Sequence, residues 1–281
     1  MAKRNAFAPG KIILSGEYAV VFGYPGIAVP SSAGVEATFE EDALCKGIEI
    51  AESDANDAVR AYTEKIVAAC RKNKPNLRGQ LSIRSAIPFG KGLGSSTALV
   101  IAITRVLIGE DARETALTIE DALNPRHSGL DFNTILENHP ILFRKGATPK
   151  HVDLPSVQLQ NFTLIDTGLP NESTAQLVAW MQKREKEIKG PLNAIGNCTE
   201  RLMQGEALDI VMRDHHKAQV ALGVVPPKVQ ELIAEIESAG GSAKVIGAGA
   251  RTGGAGMVLA IGNQERIRNI DKQKSLPTML P

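Results

Sequence analysis

The sequence predicts an α+β protein of two lobes, with a β-rich N-terminal half and a helix-rich C-terminal half. Three observations predict it. The first forty residues are short apolar or alternating runs cut by glycine turns. A strand, a glycine-rich turn and an apolar helix then follow one another over 81–107. From Glu172 onward, apolar residues recur at helical spacing through four segments. The chain has 281 residues and is 43% hydrophobic, enough for a substantial core. Single cores stop growing at roughly 250–300 residues, so one large domain or two closely packed lobes both fit. The boundary is expected near 150–170, dividing the chain into 1–160 and 161–281.

The elements follow in order. Runs 11–14 and 19–22 read as short strands, with Gly10, Gly16 and Gly23-Tyr24-Pro25 as turns. Residues 34–40 alternate apolar and polar, as a half-buried strand does. Val59, Tyr62, Ile66 and Ala69 predict a helix over 56–72. Residues 81–87 form a further strand, and 95–107 a buried helix. A helix over about 112–123 should stop before Asn124-Pro125. After Asp131 the pattern returns to strands, including 162–166. Helices are expected at 172–188, 191–204, 206–221 and 227–239, the last stopped by Gly240-Gly241. A strand at 243–247 leads into a second glycine cluster, 247–256, and 257–261 is a final strand.

Composition narrows the function classes. A formal net charge of +1 gives no global attraction to nucleic acid. Aromatics at 4% do not supply a stacking platform for single strands. Cys45, Cys70 and Cys198 are odd in number and widely spaced, so they read as reduced thiols rather than a disulfide framework or zinc site. The N-terminal residues lack the apolar stretch of a signal peptide. No run approaches the roughly 18 apolar residues of a membrane span. A cytoplasmic protein that does not bind membranes is expected.

The glycine-rich turn carries the strongest local signal. Gly90, Gly92 and Gly94 alternate, and Ser95, Ser96 and Thr97 then open a helix. Glycines permit positive φ and close approach to a ligand. The free N–H groups of a helix start favour an anion, and Lys91 adds a mobile charge. A triphosphate fits. The segment matches neither G-x-x-x-x-G-K-[ST] nor G-x-G-x-x-G. On spacing alone a phosphate cradle and a structural turn both remain open, since Ser and Thr also cap helices.

Segment 88–98, Pro-Phe-Gly-Lys-Gly-Leu-Gly-Ser-Ser-Thr-Ala, resembles the phosphate loop of the GHMP kinases. Two further segments stand in that family's order. Residues 8–25 resemble its first motif in the isoprenoid branch, and 244–256 its C-terminal glycine motif. The resemblance spans about 6–262. Within the family, Ser128-Gly129-Leu130-Asp131 is similar to the Ser-Gly-Ile-Asp element of mevalonate kinases. Glu120 stands eleven residues earlier, as their metal-binding Glu does. Segments 165–168 and 215–227 also resemble that branch, and the galactokinase sugar motif is absent. Three positions depart: Tyr18 replaces the family's His, as in many phosphomevalonate kinases; 124–129 replaces its His-Gly-Asn-Pro-Ser-Gly run; and Arg251-Thr252 interrupt the last glycine motif.

The resemblance implies a GHMP-type two-lobed fold with a helical, ferredoxin-like C-terminal lobe. It implies transfer of the ATP γ-phosphoryl to the 5-hydroxyl of mevalonate, with Mg²⁺ as cofactor. Gly90, Lys91, Gly92, Leu93, Gly94, Ser95, Ser96 and Thr97 would hold the nucleotide phosphates, and Ser96 and Glu120 the metal. Asp131 would take the hydroxyl proton. Lys11 would face Asp131 and the same hydroxyl, favouring the alkoxide and keeping Asp131 ionised. Glu17, Tyr18, Thr167, Gly247 and Ala248 are candidate substrate contacts, with Gly249 in the same backbone wall. Arg251 is a candidate phosphate contact, His127 a candidate lining residue, and Arg144-Lys145 a solvated pair. A homodimer is suggested. Two alternatives stay open: a phosphomevalonate kinase, which needs extra Arg or Lys beside Asp131, and a non-catalytic member that binds ligand and regulates a partner.

Overall fold

Two long antiparallel strands organise the first lobe: β1 (Lys3–Ser15) and β2 (Gly26–Glu41). The computed structural model describes residues 2–51, 57–125, 127–154 and 161–279. The β1–β2 register runs from Lys3 opposite Glu40 to Ser15 opposite Ile27 and shifts twice, around Gly10 and between Ile13 and Ser15. From Pro9 to Ser15 every β1 residue is buried, so Lys11 is carried into the interior by the strand itself. Strand β3 (Ile48–Ile50) pairs parallel with β4 (Gly79–Ser85), which pairs with β2. At the other end of β2 come β5 (Ile141–Phe143) and β6 (Lys150–His151). Helix α1 (Asp57–Asn73) agrees with the expected 56–72, although residue 56 lies outside the described residues. It packs on α2 (Ser95–Ile108), which is buried on almost all sides against β1 and β2. Helix α3 (Arg113–Leu123) ends at Asn124, as the following proline requires.

The second lobe is a four-stranded antiparallel sheet. Its order is β10 (Thr278–Met279), β7 (Phe162–Asp166), β9 (Met257–Ile261), β8 (Ser242–Val245). Numbered within the lobe, this order is 4-1-3-2, that of the expected ferredoxin-like unit. Helices α5 (Thr174–Gln182), α6 (Glu185–Met203), α7 (Leu208–Leu222) and α8 (Pro227–Ser238) connect β7 to β8, and α9 (Gln264–Gln273) connects β9 to β10. One apolar core joins the lobes: Ile12, Leu99 and Ile103 cluster with Leu164, Met212 and Leu259. The expected boundary after residue 160 falls on 155–160, outside the described residues. Among the described residues no helix is long and apolar enough to cross a membrane. The three cysteines are free and buried, and burial pushes the Cys70 and Cys198 thiols up to about 11.

Three expectations are corrected. Ala19–Phe22 is a turn of 3-10 helix, not a strand. Gly16 has φ of 112°, and a Cβ there would stand 2.3 Å from Gly26 Cα. The chain therefore reverses at once, and Val20 and Val21 bond locally to the carbonyls of Gly16 and Tyr18. After Gly129 the chain forms helix α4 (Leu130–Glu137) rather than returning to strand. Leu130 packs in one core cluster and Phe132 and Ile135 in another, so burial on two faces blurs the helical period. Helix α6 continues through Pro191, where a break was expected. The stripe Ile188, Leu192, Ile195, Leu202 is buried across that position, so packing overrides the missing N–H. Helix α9 and strand β10 were not anticipated; α9 has Ile267 and Asp271 as its buried residues, a weak apolar signal.

Candidate active site

The glycine turn, the start of α4 and the second glycine cluster converge on one cavity of about 270 Å³. Strand β1 delivers Lys11 to its floor, with the side chain 2% exposed. Lys11 Nζ donates to the Gly92 carbonyl at 2.9 Å and stands 3.2 Å from Asp131 Oδ2. Asp131 sits in the first turn of α4, where the left-handed Gly129 (φ 94°) starts the helix and the Ser128 hydroxyl accepts from Leu130 N. Its carboxylate is partly open to the cavity, and so to any ligand there. A buried ammonium beside an accessible carboxylate can polarise and deprotonate a hydroxyl placed between them.

Gly94 makes this geometry fit. It has φ of +75°, and a Cβ there would stand 3.0 Å from Lys11 Cγ and 2.9 Å from Ile135 Cδ1. Gly92 has φ of +88° and packs against Ile246 O and Gly247, so the two glycine segments touch backbone to backbone. Gly92, Ser96 and Thr97 line the cavity. Leu93 is fully buried, and the Ser95 hydroxyl accepts from Gly90 N at 3.3 Å, bracing the turn from within. Lys91 is not the mobile charge expected: it is paired with Asp166, whose other oxygen accepts from Gly168 N.

Glu120, on α3, is 2% exposed and lines the same cavity. Its Oε1 accepts from Thr97 Oγ1 at 2.8 Å and Asn124 Nδ2 at 3.0 Å. Its Oε2 is buried with no hydrogen-bond partner. Burial pushes the carboxyl above the usual range, while the bonds from Thr97 and Asn124 and the nearby His127 pull it down. A buried, unpartnered carboxylate oxygen on a cavity that Ser96 also lines fits a hard cation. Among the described residues no three His, Cys, Asp or Glu form a metal cage. Mg²⁺ does not need one, since it is commonly held by one or two carboxylates, waters and substrate phosphates.

The remaining candidates divide. Glu17, Tyr18, Gly247, Ala248 and His127 line the cavity, and His127 Nε2 lies 2.7 Å from Asp121 Oδ1. Tyr18 has φ of 61°, unusual for a bulky residue, and donates its hydroxyl to the Ala248 carbonyl. Burial, with Glu17 nearby, pushes that phenol up. Thr167 is not brought to the cavity: its hydroxyl donates to Gly256 O at 2.7 Å and accepts from Ala255 N. Gly249 instead packs on the Val224 carbonyl, under the wall rather than in it. Arg251 stacks over Trp180, 4.6 Å from the ring centroid, and its loop is held by Glu172. Arg144 is not simply solvated, since it donates to Gly23 O at 2.7 Å.

Sequence reasoning missed a buried ionic group beneath Glu17. Lys244, wholly buried, donates to the Glu17 carboxylate, and His215 Nε2 lies 2.9 Å from Glu17 Oε2. Burial raises the Glu17 carboxyl, but Lys244 and His215 outweigh it and hold the group at about 2. The signal was a lysine inside the apolar run 243–247.

Residues 58–130 match the family described as GHMP kinases N terminal domain. The chain is 30% identical to the mevalonate kinase of Thermococcus gammatolerans, over 93% of this chain and 90% of that protein. It is 29% identical to that of Pyrococcus furiosus, over 93% and 90%. Among solved structures, the Methanococcus jannaschii mevalonate kinase superposes with a TM-score of 0.80 at 19% identity, covering 99% of this chain and 96% of that one. The L. major mevalonate kinase in complex with R-mevalonate gives 0.75 at 19%, covering 100% and 96%. At these identities the structures show a shared fold.

Proposed function

We propose that this chain, which belongs to the mevalonate kinases of the GHMP kinase family, transfers the ATP γ-phosphoryl to the 5-hydroxyl of mevalonate and releases ADP. The observation that carries the reading is the buried Lys11 ammonium 3.2 Å from Asp131 in a cavity shared with Gly92, Ser96 and Glu120. Asp131 accepts the hydroxyl proton, a role worth roughly 10²–10⁴ in rate. Lys11 stabilises the alkoxide as it forms, and its bond to Gly92 fixes it to the phosphate turn. Gly92, Ser96 and Thr97 place the triphosphate at the start of α2, where free N–H groups face an anion. Ser96 and Glu120 would hold Mg²⁺, which when bound would neutralise part of the triphosphate charge. Glu17, Tyr18, Gly247 and Ala248 enclose the acceptor.

Tyr18 invites a second reading, with phosphomevalonate as acceptor. That substrate needs a second cationic contact. Among the described residues lining the cavity, Lys11 is the one Lys or Arg, which supports the acceptor without a phosphate. The test is ADP release with ATP and Mg²⁺, comparing mevalonate, phosphomevalonate and homoserine. Turnover with mevalonate alone is expected. Turnover with phosphomevalonate alone would move the reaction to the second reading, and silence with all three would favour a ligand-binding regulator.

A further inference from the structure

We propose that Lys244 is a positioning residue for the phosphoryl transfer, holding the strand that carries Lys11 at a set distance from the glycine wall at Gly247. Lys244 lies on β8 in the C-terminal lobe and is wholly buried. Its ammonium donates to Ile13 O at 3.1 Å, to Val245 O at 3.1 Å and to Glu17 Oε1. An ammonium has three donors, and all three are used. Two partners belong to the N-terminal lobe, so the bonds cross between lobes behind the cavity.

The contacts close into a ring. Ile13 follows Lys11 by two residues on β1, the spacing that puts side chains on one face, and both line the cavity. Lys11 Nζ bonds to Gly92 O. Gly92 packs directly on Gly247, where a Cβ would stand 2.7 Å from Gly92 Cα. Gly247 follows Val245 by two residues and so returns to Lys244. Lys244 does not itself line the cavity. Glu17 is the second anchor, and its other oxygen lies 2.9 Å from His215 Nε2. A buried ion pair is a weak source of stability, because apolar residues of similar volume fill such a space as well or better. What this pair supplies is a fixed geometry.

The test separates geometry from stability with Lys244→Met, Glu17→Gln and the double variant Glu17→Gln/Lys244→Met. Lys244→Met alone strands a buried carboxylate and should be the least stable. The double variant removes both charges and should recover a parent-like melting temperature. Its kcat should stay about 100-fold low, the cost of a misplacement of about 1 Å, while KM for ATP changes by less than about threefold. Glu17→Gln alone keeps the bonds to Ile13 and Val245, and should lose less than about tenfold in kcat. A folded double variant with kcat within about threefold of the parent would overturn the proposal, as would a loss confined to KM or already complete in Glu17→Gln. A double variant that does not fold would also overturn it, making Lys244 a purely structural residue. The inference rests on the kinase reading, which the parent's turnover in the same series tests separately.

Discussion

Lys11 and Asp131 divide one task between a buried cation and an accessible base, and each should fail in its own way when replaced. Lys11→Met removes the charge that favours the alkoxide and should lower kcat roughly 10²–10³-fold, the loss typical of one transition-state contact. Steady-state assays with saturating ATP check it. Glu120→Gln keeps an acceptor for Thr97 and Asn124 but gives the buried Oε2 position no charge to offer a cation. Half-maximal activity should then need at least about tenfold more Mg²⁺, read from a magnesium titration at fixed ATP. These residues were expected from the resemblance to the family's motifs, and the structure brings all three to one cavity. Lys91 and Thr167 were not, since their fates depend on Asp166 and Gly256, partners that local sequence does not reveal.

At the scale of elements, the strand–turn–helix unit through β4 and α2 and the four helices after Glu172 were readable from period and glycine placement. What resisted reading was apolar sequence buried on more than one side. Ala19–Phe22 and Leu130–Glu137 are such segments, and both flank the cavity. Pro191 resisted for the opposite reason, because local propensity there yields to a buried stripe. The start of α2 offers a direct test. Gly94→Ala forces an L-residue into φ of +75° and brings a methyl to 3.0 Å from Lys11 Cγ. The backbone term alone should cost roughly 1–2 kcal/mol, measurable by urea denaturation. The kcat of the folded fraction should fall as well, since Lys11 must shift.

For the whole molecule, two buried groups give stability opposite slopes with pH. His216 is buried near His215 and Lys244, and burial first and those charges second lower its pKa from the ordinary 6.5 to about 4. The unfolded chain therefore binds a proton below pH 6.5 that the folded chain refuses, and stability falls as pH drops from 6.5 toward 4. Asp271 runs the other way. Burial raises it from the ordinary 3.8 to about 6, and both its oxygens lack partners. Folding is then favoured at low pH and loses stability as pH rises from about 4 through 6. Asp271→Asn should raise the melting temperature at pH 8 and leave it unchanged at pH 3.5, while His216→Leu should flatten the loss between pH 6.5 and 4. Thermal melts across pH check both. The two-lobed plan was visible in the sequence. The shared core, which seats Ile12 of the first lobe with Leu164 and Leu259 of the second, was not, because contacts so distant along the chain leave no local pattern.

The kinase reading stands most directly on Asp131, and the measurement to make is kcat for mevalonate phosphorylation by Asp131→Ala beside the parent, with the melting temperature of each. A variant that still folds, with a loss of roughly 10²–10⁴ in kcat, is expected. Full activity in a folded Asp131→Ala variant would contradict it.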